Sequence, residues 1–361
     1  QVDNHMSKPT NKPTIANHTS IRITPESVGL TFSKGKTYIF EETGLPLGAI
    51  EAGELKQPQA LADAIQVLLT KTKVSDKYIT IGLPEHTAFL KTIDIKDESA
   101  NIADQIVITV EPDLPLPLDE MYLDWKWLPG TNKMVQVAGL PKKVVDKYLE
   151  VIAKFKLTPL ALETTSLTIS RLLHNASETL MVVEADTTTT MTIVIPGGGV
   201  EVTAISQSPQ AGQVSSQITT VMTDMVEYYQ QKFSQKPNLT KILVTGRLLN
   251  QINSFSNSIK PEMLPLPAGV QPHAALGYSL AAMEIAPPED THTINLLPPT
   301  IQANYDEAAA HRASRNVLGI SVFFLIILNI ITGAFLVPII SLQSGTSPDS
   351  NTLVDEGNVL A

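Results

Sequence analysis

Apolar positions along residues 21–290 follow two rhythms in turn, one of strands and one of helices. Runs at 28–32 and 36–41 flank Ser33, Lys34 and Gly35, a hairpin signal with glycine at the turn. Leu61, Ile65, Leu68 and Leu69 then recur at helical spacing over 59–73, and 78–83 reads as a strand. A helix over 144–155 (Val145, Tyr148, Ile152), a strand at 157–162 and a helix at 166–174 follow. A second system opens with strands at 180–184 and 187–194, which Gly197-Gly198-Gly199 turns back into 200–205. It continues with a helix over 216–233, a strand at 241–245 ending at Gly246, a loop at 265–272 and an Ala-rich helix at 274–283. The alternation predicts an α/β body long enough for one large or two modest domains.

After the Pro-rich stretch that follows Ala286, the pattern changes. Residues 317–342 are apolar and uncharged, with Phe323, Phe324, Ile326, Ile327, Ile330 and Ile331 at their centre. A bilayer core needs about 20 such residues, so the run predicts one membrane-spanning helix. Asn329, four residues before Gly333, is its polar oddity and suits a contact with a partner helix. His311, Arg312 and Arg315 precede the run, whereas 343–361 carries acids and no Lys or Arg. That asymmetry predicts an inner-membrane protein with a cytoplasmic N-terminal body and an outside C-terminus. Residues 1–20 are polar and expected to be disordered, without a signal peptide.

Charge and composition exclude several chemistries. Twenty-six basic against thirty-six acidic residues give a net charge of −10, contrary to a nucleic-acid surface. There is no cysteine, and the seven histidines are scattered singly, so neither thiolate chemistry nor a His-based metal site is expected. The triple glycine lies between β-branched strands rather than before a helix, so it reads as a hairpin turn and not a phosphate cradle.

Four stretches, taken in order, resemble the type IV pilus assembly protein PilM family joined to the first part of PilN, the partner of PilM. They are Leu114-Pro115-Leu116-Pro117-Leu118-Asp119-Glu120 with Leu123-Asp124-Trp125; residues 141–163, ending Leu157-Thr158-Pro159-Leu160-Ala161-Leu162-Glu163; residues 186–192 with 242–246; and Ile294-Asn295-Leu296-Leu297-Pro298. The resemblance implies an actin-like (ASKHA, FtsA-like) two-lobed body followed by a single transmembrane helix. The expected plan is a first lobe at 21–177 with a small inserted subdomain, a second lobe at 178–285 and a linker at 286–293. A docking motif with a juxtamembrane helix (294–316), the spanning helix (317–342) and a short extracytoplasmic tail (343–361) complete it. Ile294, Asn295, Leu296, Leu297 and Pro298 would be the peptide-docking motif.

The same resemblance places nucleotide loops at 28–33, 186–192 and 242–246. Thr31-Phe32-Ser33 stands where an acid and a glycine are expected, and Thr188 stands at another expected glycine, although Asp186, Thr189 and Gly246 keep hydrogen-bonding or glycine character. A degenerate site follows from this, Asp186, Thr188, Thr189 and Gly246, with no catalytic or metal residues and no cofactor expected, ATP with Mg²⁺ being the group to test. The expected function is a non-catalytic platform of a type IV pilus machine, working with PilO-like and PilN-like proteins, a platform protein and an assembly ATPase. An eight-residue linker leaves open whether the motif docks in its own chain or builds a homo-oligomer. The alternatives are a type II secretion subunit of the GspL kind, relative to which the short tail implies a shortened form, and a membrane-anchored actin-like ATPase.

Overall fold

The computed structural model describes residues 12, 14–16, 18–96, 101–130, 133–233, 238–252 and 259–344, without side chains at 315–320 and 333–344. It divides into two units, 1–308 and 309–361. In the first unit, β1 (Thr19–Ile23), β2 (Ser27–Lys34) and β3 (Thr37–Gly44) form an antiparallel meander. A small hairpin, β4 (Ile50–Glu51) with β5 (Glu54–Leu55), leads to α1 (Pro58–Thr72), whose start suits a helical proline and whose end is Lys73 in the left-handed region at φ 52°. From α1 the chain enters β6 (Tyr78–Leu83), parallel to β1. Leu61, Ile65 and Leu68 of α1 are fully buried against Ile21, Leu30, Ile79 and Ile81, which is why the helical spacing was legible.

A subdomain is inserted after β6. It comprises β7 (Phe89–Asp94), α2 (Ile102–Val110), β8 (Met121–Trp127) and β9 (Met134–Pro141), with sheet order β7-β9-β8. The run that forms α2 is rich in β-branched residues and favours strand by propensity. Helix wins because the Asn101 side chain accepts from the amides of Ala103 and Asp104, while Ile106 and Val110 pack on Ile93, Val135 and Val137. The chain returns through α3 (Lys142–Ala153) to β10 (Thr158–Thr164), which pairs parallel with β6 and forms one edge of the first sheet, order β10-β6-β1-β2-β3.

After α4 (Thr165–Leu172) the topology repeats. Strands β11 (Thr179–Glu184), β12 (Thr188–Ile195) and β13 (Gly199–Gln207) form a second antiparallel meander, and α5 (Ile218–Lys232) leads to β14 (Leu239–Thr245), parallel to β11. A short β15 (Pro261–Met263) ends a sheet ordered β13-β12-β11-β14-β15, with the same directions as the first. Met222, Met225 and Tyr229 of α5 cover one face of this sheet. The other face meets Ile169 and Leu173, at α4, and Ala275 and Leu276 of α6 (Ala275–Ala282). Helix α6 also seals the first sheet: Ser20 Oγ donates to the Gly277 carbonyl at 2.9 Å and Thr80 Oγ1 to that of Leu280 at 3.2 Å. Thus α4 and α6 are shared between two lobes of one unit.

Beyond α6, Ile285 forms an antiparallel bridge with Ile15, and the Thr291 carbonyl accepts from Trp127 N at 2.9 Å, so 286–293 is held against the body. Short α7 (Pro299–Gln302) precedes α8 (Asn304–Ser344). Among the described residues, no helix is long and apolar enough to cross a membrane. Of the expected span 317–342, side chains are described only at 321–332, and twelve residues rise about 18 Å against a hydrocarbon core of about 30 Å. Within that stretch Asn329 Nδ2 donates to the Leu325 carbonyl at 2.9 Å.

Candidate functional site

Two places collect the residues that the sequence singles out. The first lies between the lobes, where the duplicated topology sets two hairpin turns against each other: Thr24–Ser27 between β1 and β2, and the turn at 185–187 between β11 and β12. Arg22 at the end of β1 pairs with Glu184 at the end of β11, both nearly inaccessible. Glu26 accepts from Thr188 Oγ1. Arg247 follows Gly246; its Nε donates to Asp186 Oδ2 of the same lobe at 3.1 Å, and its Nη2 reaches across to Glu42 Oε1 at 2.5 Å and Ser27 Oγ at 3.1 Å. Burial weakens the charged form of Arg22, which the carboxylates of Asp186, Glu42 and Glu26 oppose.

Asp186, Thr188, Thr189 and Gly246 are therefore brought together, but their donors and acceptors are engaged within the protein. Asp186 Oδ1 caps the Thr187 amide at 3.0 Å, and Thr189 Oγ1 donates to the Asp186 carbonyl at 2.7 Å. Gly246 adopts φ 95°, where a side chain would be strained and would strike the Ala185 carbonyl. Its conformation thus has a structural reason. The space lined by Arg22, Glu26, Glu85, Glu184, Asp186 and Thr188 is ≈ 10 Å³, enough for about one water. Five carboxylates (Glu26, Glu42, Glu85, Glu184, Asp186) face two arginines that are already paired, and Pro25 offers no amide in the first turn. Burial raises the Glu85 carboxyl. These residues do not fit a magnesium nucleotide, whose phosphates need free donors and an open cleft. Among the described residues, no group of three or more His, Cys, Asp or Glu could hold a metal ion.

The first nucleotide loop, expected at 28–33, corresponds to most of β2: Gly29 sits mid-strand and Ser33 near the hairpin to β3. The turn that faces the second lobe is Thr24–Ser27, one strand earlier. That shift arises because β1, Thr-Ser-Ile-Arg-Ile, is half polar and was not recognised as a strand. Arg22, Glu26, Glu42 and Glu184 were missed with it, although a charge ending an apolar strand, as in Leu-Met-Val-Val-Glu, is a signal that could have found Glu184.

The second place is the free edge of β10. Ile294-Asn295-Leu296-Leu297 lies along it, with the Leu296 amide donating to the Leu162 carbonyl at 2.9 Å. Asn295 mimics a strand with its side chain: Oδ1 accepts from Leu162 N at 3.0 Å and Leu297 N at 3.2 Å, and Nδ2 donates to the Leu160 carbonyl at 2.9 Å. Ile294, Leu296 and Leu297, each about 2% exposed or less, join the core that contains Ile79, Ile81 and Leu162. Pro298 ends the segment and leads into α7, from which Gln302 Nε2 donates back to the Asn295 and Leu297 carbonyls at 3.1 and 2.8 Å. Asp124 of β8 completes the seat, accepting from Asn295 N at 2.6 Å. A cavity of ≈ 690 Å³ adjoins the segment, walled by Ile106, Leu116, Tyr122, Leu296 and Leu297 among others.

Burial pushes the Asp124 carboxyl up to about 7, more than the amides of Asn295 and Trp125 pull it down, and Asp290 adds to the rise. The folded chain then binds a proton that the unfolded chain releases near pH 4. Stability from this group is full below that value and is lost as pH climbs to about 7. Thermal unfolding is expected to show a lower Tm at pH 8 than at pH 5, with a smaller difference in Asp124→Asn. Asn295→Ala removes three hydrogen bonds at about 1 kcal/mol each and leaves the edge groups of Leu160 and Leu162 unanswered, so chemical denaturation should report a loss of about 3 kcal/mol.

With this geometry in hand, comparison with known proteins is informative. Residues 30–208 match the family described as type IV pilus assembly protein PilM. Among solved structures, a PilM-PilN type IV pilus biogenesis complex is similar at a TM-score of 0.57 and 15% identity, over 74% of this chain and 98% of that one. The cytoplasmic domain of EpsL, an inner membrane component of the type II secretion system of Vibrio cholerae, is similar at a TM-score of 0.50 and 9% identity, over 79% and 100%. No curated protein matches the chain. At these identities the two structures speak for the fold, and the matched segment speaks for the family resemblance. The chain has the fold of these two structures, and its residues 30–208 resemble the PilM family.

Proposed function

We propose that this protein is a non-catalytic platform whose own 294–298 segment takes the place that a separate peptide would take. The observation that carries this reading is the seat of Asn295 and Leu296 on the edge of β10, in the same chain. One of the similar structures is a complex of PilM with PilN, and the segment resembles the start of PilN. Fusion raises the local concentration of such a peptide to roughly millimolar, which favours self-docking over exchange with a neighbour's motif. A homo-oligomer built through 294–298 would require that seat to open.

The charge-filled interlobe cleft supports a scaffold rather than an ATPase. The apolar 317–342 run supports a single-pass anchor in the inner membrane with the body cytoplasmic and the C-terminus outside. Asn329 and Thr332, whose side chains bond Leu325 and Leu328 carbonyls within the helix, are compatible with hydrocarbon. Partners of this platform would be PilN-like, PilO-like and platform proteins with an assembly ATPase. A type II secretion subunit is the second reading, favoured by a body and an apolar helix sharing one chain.

Calorimetric titration of the full chain in detergent tests the proposal. Mg-ATP should give no binding heat, and a peptide of residues 293–303 should bind only when Leu296→Asp with Leu297→Asp frees the seat. Stoichiometric Mg-ATP binding abolished by Asp186→Ala would instead establish a nucleotide-driven protein, and peptide binding to the unaltered chain would show that the seat is open to partners.

A further inference from the structure

Although the protein carries a net charge of −10, one edge of its first lobe is basic. Strands β6 and β10 are parallel and in register, Tyr78 beside Thr158, and the helices that feed them, α1 and α3, both end at the same edge. The exposed lysines Lys73 and Lys77 lie between α1 and β6, and Lys154 and Lys156 between α3 and β10. The Thr158 amide donates to the Lys77 carbonyl at 2.7 Å, which fixes the two connections side by side. Lys71 sits one turn back on α1, paired with Glu41 at 2.6 Å.

Two observations say what this edge meets. The start of α8 rises from it, because Lys77 Nζ pairs with Glu307 at 3.2 Å and Lys12 with Asp306 at 3.0 Å. The body therefore gives way to the long helix beside these lysines. Further along, the described part of that helix presents Phe323, Phe324, Leu325, Ile326, Leu328, Ile330 and Ile331, each about half exposed or more. The acids near the edge are largely committed: Glu41 to Lys71, Glu307 to Lys77, and Asp76 to the Tyr78 amide at 3.0 Å. Among the described residues, Lys73, Lys154 and Lys156 make no ion pair, and the first and last of them hold left-handed backbone, φ 52° and 54°.

We propose that this lysine edge is a docking surface for anionic phospholipid headgroups, rather than for a soluble anion, and that it engages the bilayer surface when the apolar 317–342 run is inserted. Clusters of four or more lysines beside a membrane segment attract acidic lipid surfaces, and the attraction fades within a Debye length of about 10 Å. A body acidic elsewhere would be repelled from the same surface, so the edge also sets which side faces it. This inference rests on the reading of α8 as a membrane anchor.

The test reconstitutes the full chain into vesicles of phosphatidylcholine alone or mixed with phosphatidylglycerol and follows hydrogen exchange at 71–78 and 154–158. In the mixed vesicles exchange at both segments should slow severalfold, return to the phosphatidylcholine rate in high salt, and stay fast in the triple variants Lys73→Glu, Lys77→Glu, Lys156→Glu and Lys73→Gln, Lys77→Gln, Lys156→Gln. Equal exchange in both vesicle types would overturn the lipid surface while leaving the anchor intact. Protection by dissolved glycerol phosphate alone would assign the edge to a soluble anion and overturn it too. Failure of the chain to float with either vesicle would remove the anchor and, with it, this inference.

Discussion

The edge of β10 is the constraint on which the first lobe depends. A strand at the rim of a sheet exposes amides and carbonyls that invite pairing with any extended chain, and proteins cover such rims or lose solubility. Here the cover is a segment more than 130 residues downstream, and a single asparagine supplies both a donor and an acceptor where a regular strand would use backbone. Ile294, Leu296 and Leu297 then close a core whose other members come from β1, β2, β4, β5, α1, β6, β9, α3, β10 and α4. Each such side chain contributes about 2 kcal/mol by burial. Anything that binds the folded form alone adds to its stability. The segment is therefore both a ligand and a structural element, and lobe and segment stabilise each other.

Between the lobes a different economy operates. Arg22 with Glu184, Glu26 with Thr188, and Arg247 with Glu42 join one lobe to the other, and Asp186 holds Arg247 from within its own lobe. Buried ion pairs contribute little net stability, yet removing one partner strands a charge at a cost of several kcal/mol. Opening the cleft would strand several at once. The space between the hairpin turns is filled by the protein's own side chains. The acidic majority there, five carboxylates to two arginines, opposes a triphosphate even when the lobes part.

Much of this architecture was legible in sequence, and the failures share a cause. Strands such as β6, β11 and β12 are buried throughout and rich in β-branched and aliphatic residues because both faces are covered, and α1 and α3 show helical spacing because one face is. The inserted subdomain was less clear: its sheet is half exposed, and α2 is written in β-branched residues that only capping and packing make helical. The edge-binding segment was singled out by its resemblance to the start of PilN, which left open whether it docks in its own chain or a neighbour's, since an eight-residue linker fixes a reach and not a target. Asp186, Thr188, Thr189 and Gly246 were singled out only by the resemblance to the family's nucleotide loops, and they share a hairpin and the end of the neighbouring strand. Arg22, Glu26 and Glu42 were missed because they come from the other lobe, and only the duplicated topology brings them opposite.

The two places are not independent in a mechanical sense. Gln302 ties α7 to the carbonyls of Asn295 and Leu297, and α8 begins two residues later, with Tyr305 and Ala308 buried. A pull on the start of α8 is therefore delivered first to the segment on β10, not to a loose tether. Because that segment lies along the strand, such a load meets the Leu162, Leu160 and Asp124 hydrogen bonds together with the buried leucines, rather than one bond at a time. The parallel pairing of β10 with β6 and of β6 with β1 carries it into the centre of the first sheet, and the Arg22–Glu184 pair at the end of β1 carries it across to the second. The interlobe ion pair and the covered edge of β10 thus couple both sheets to the start of α8 through one chain of contacts.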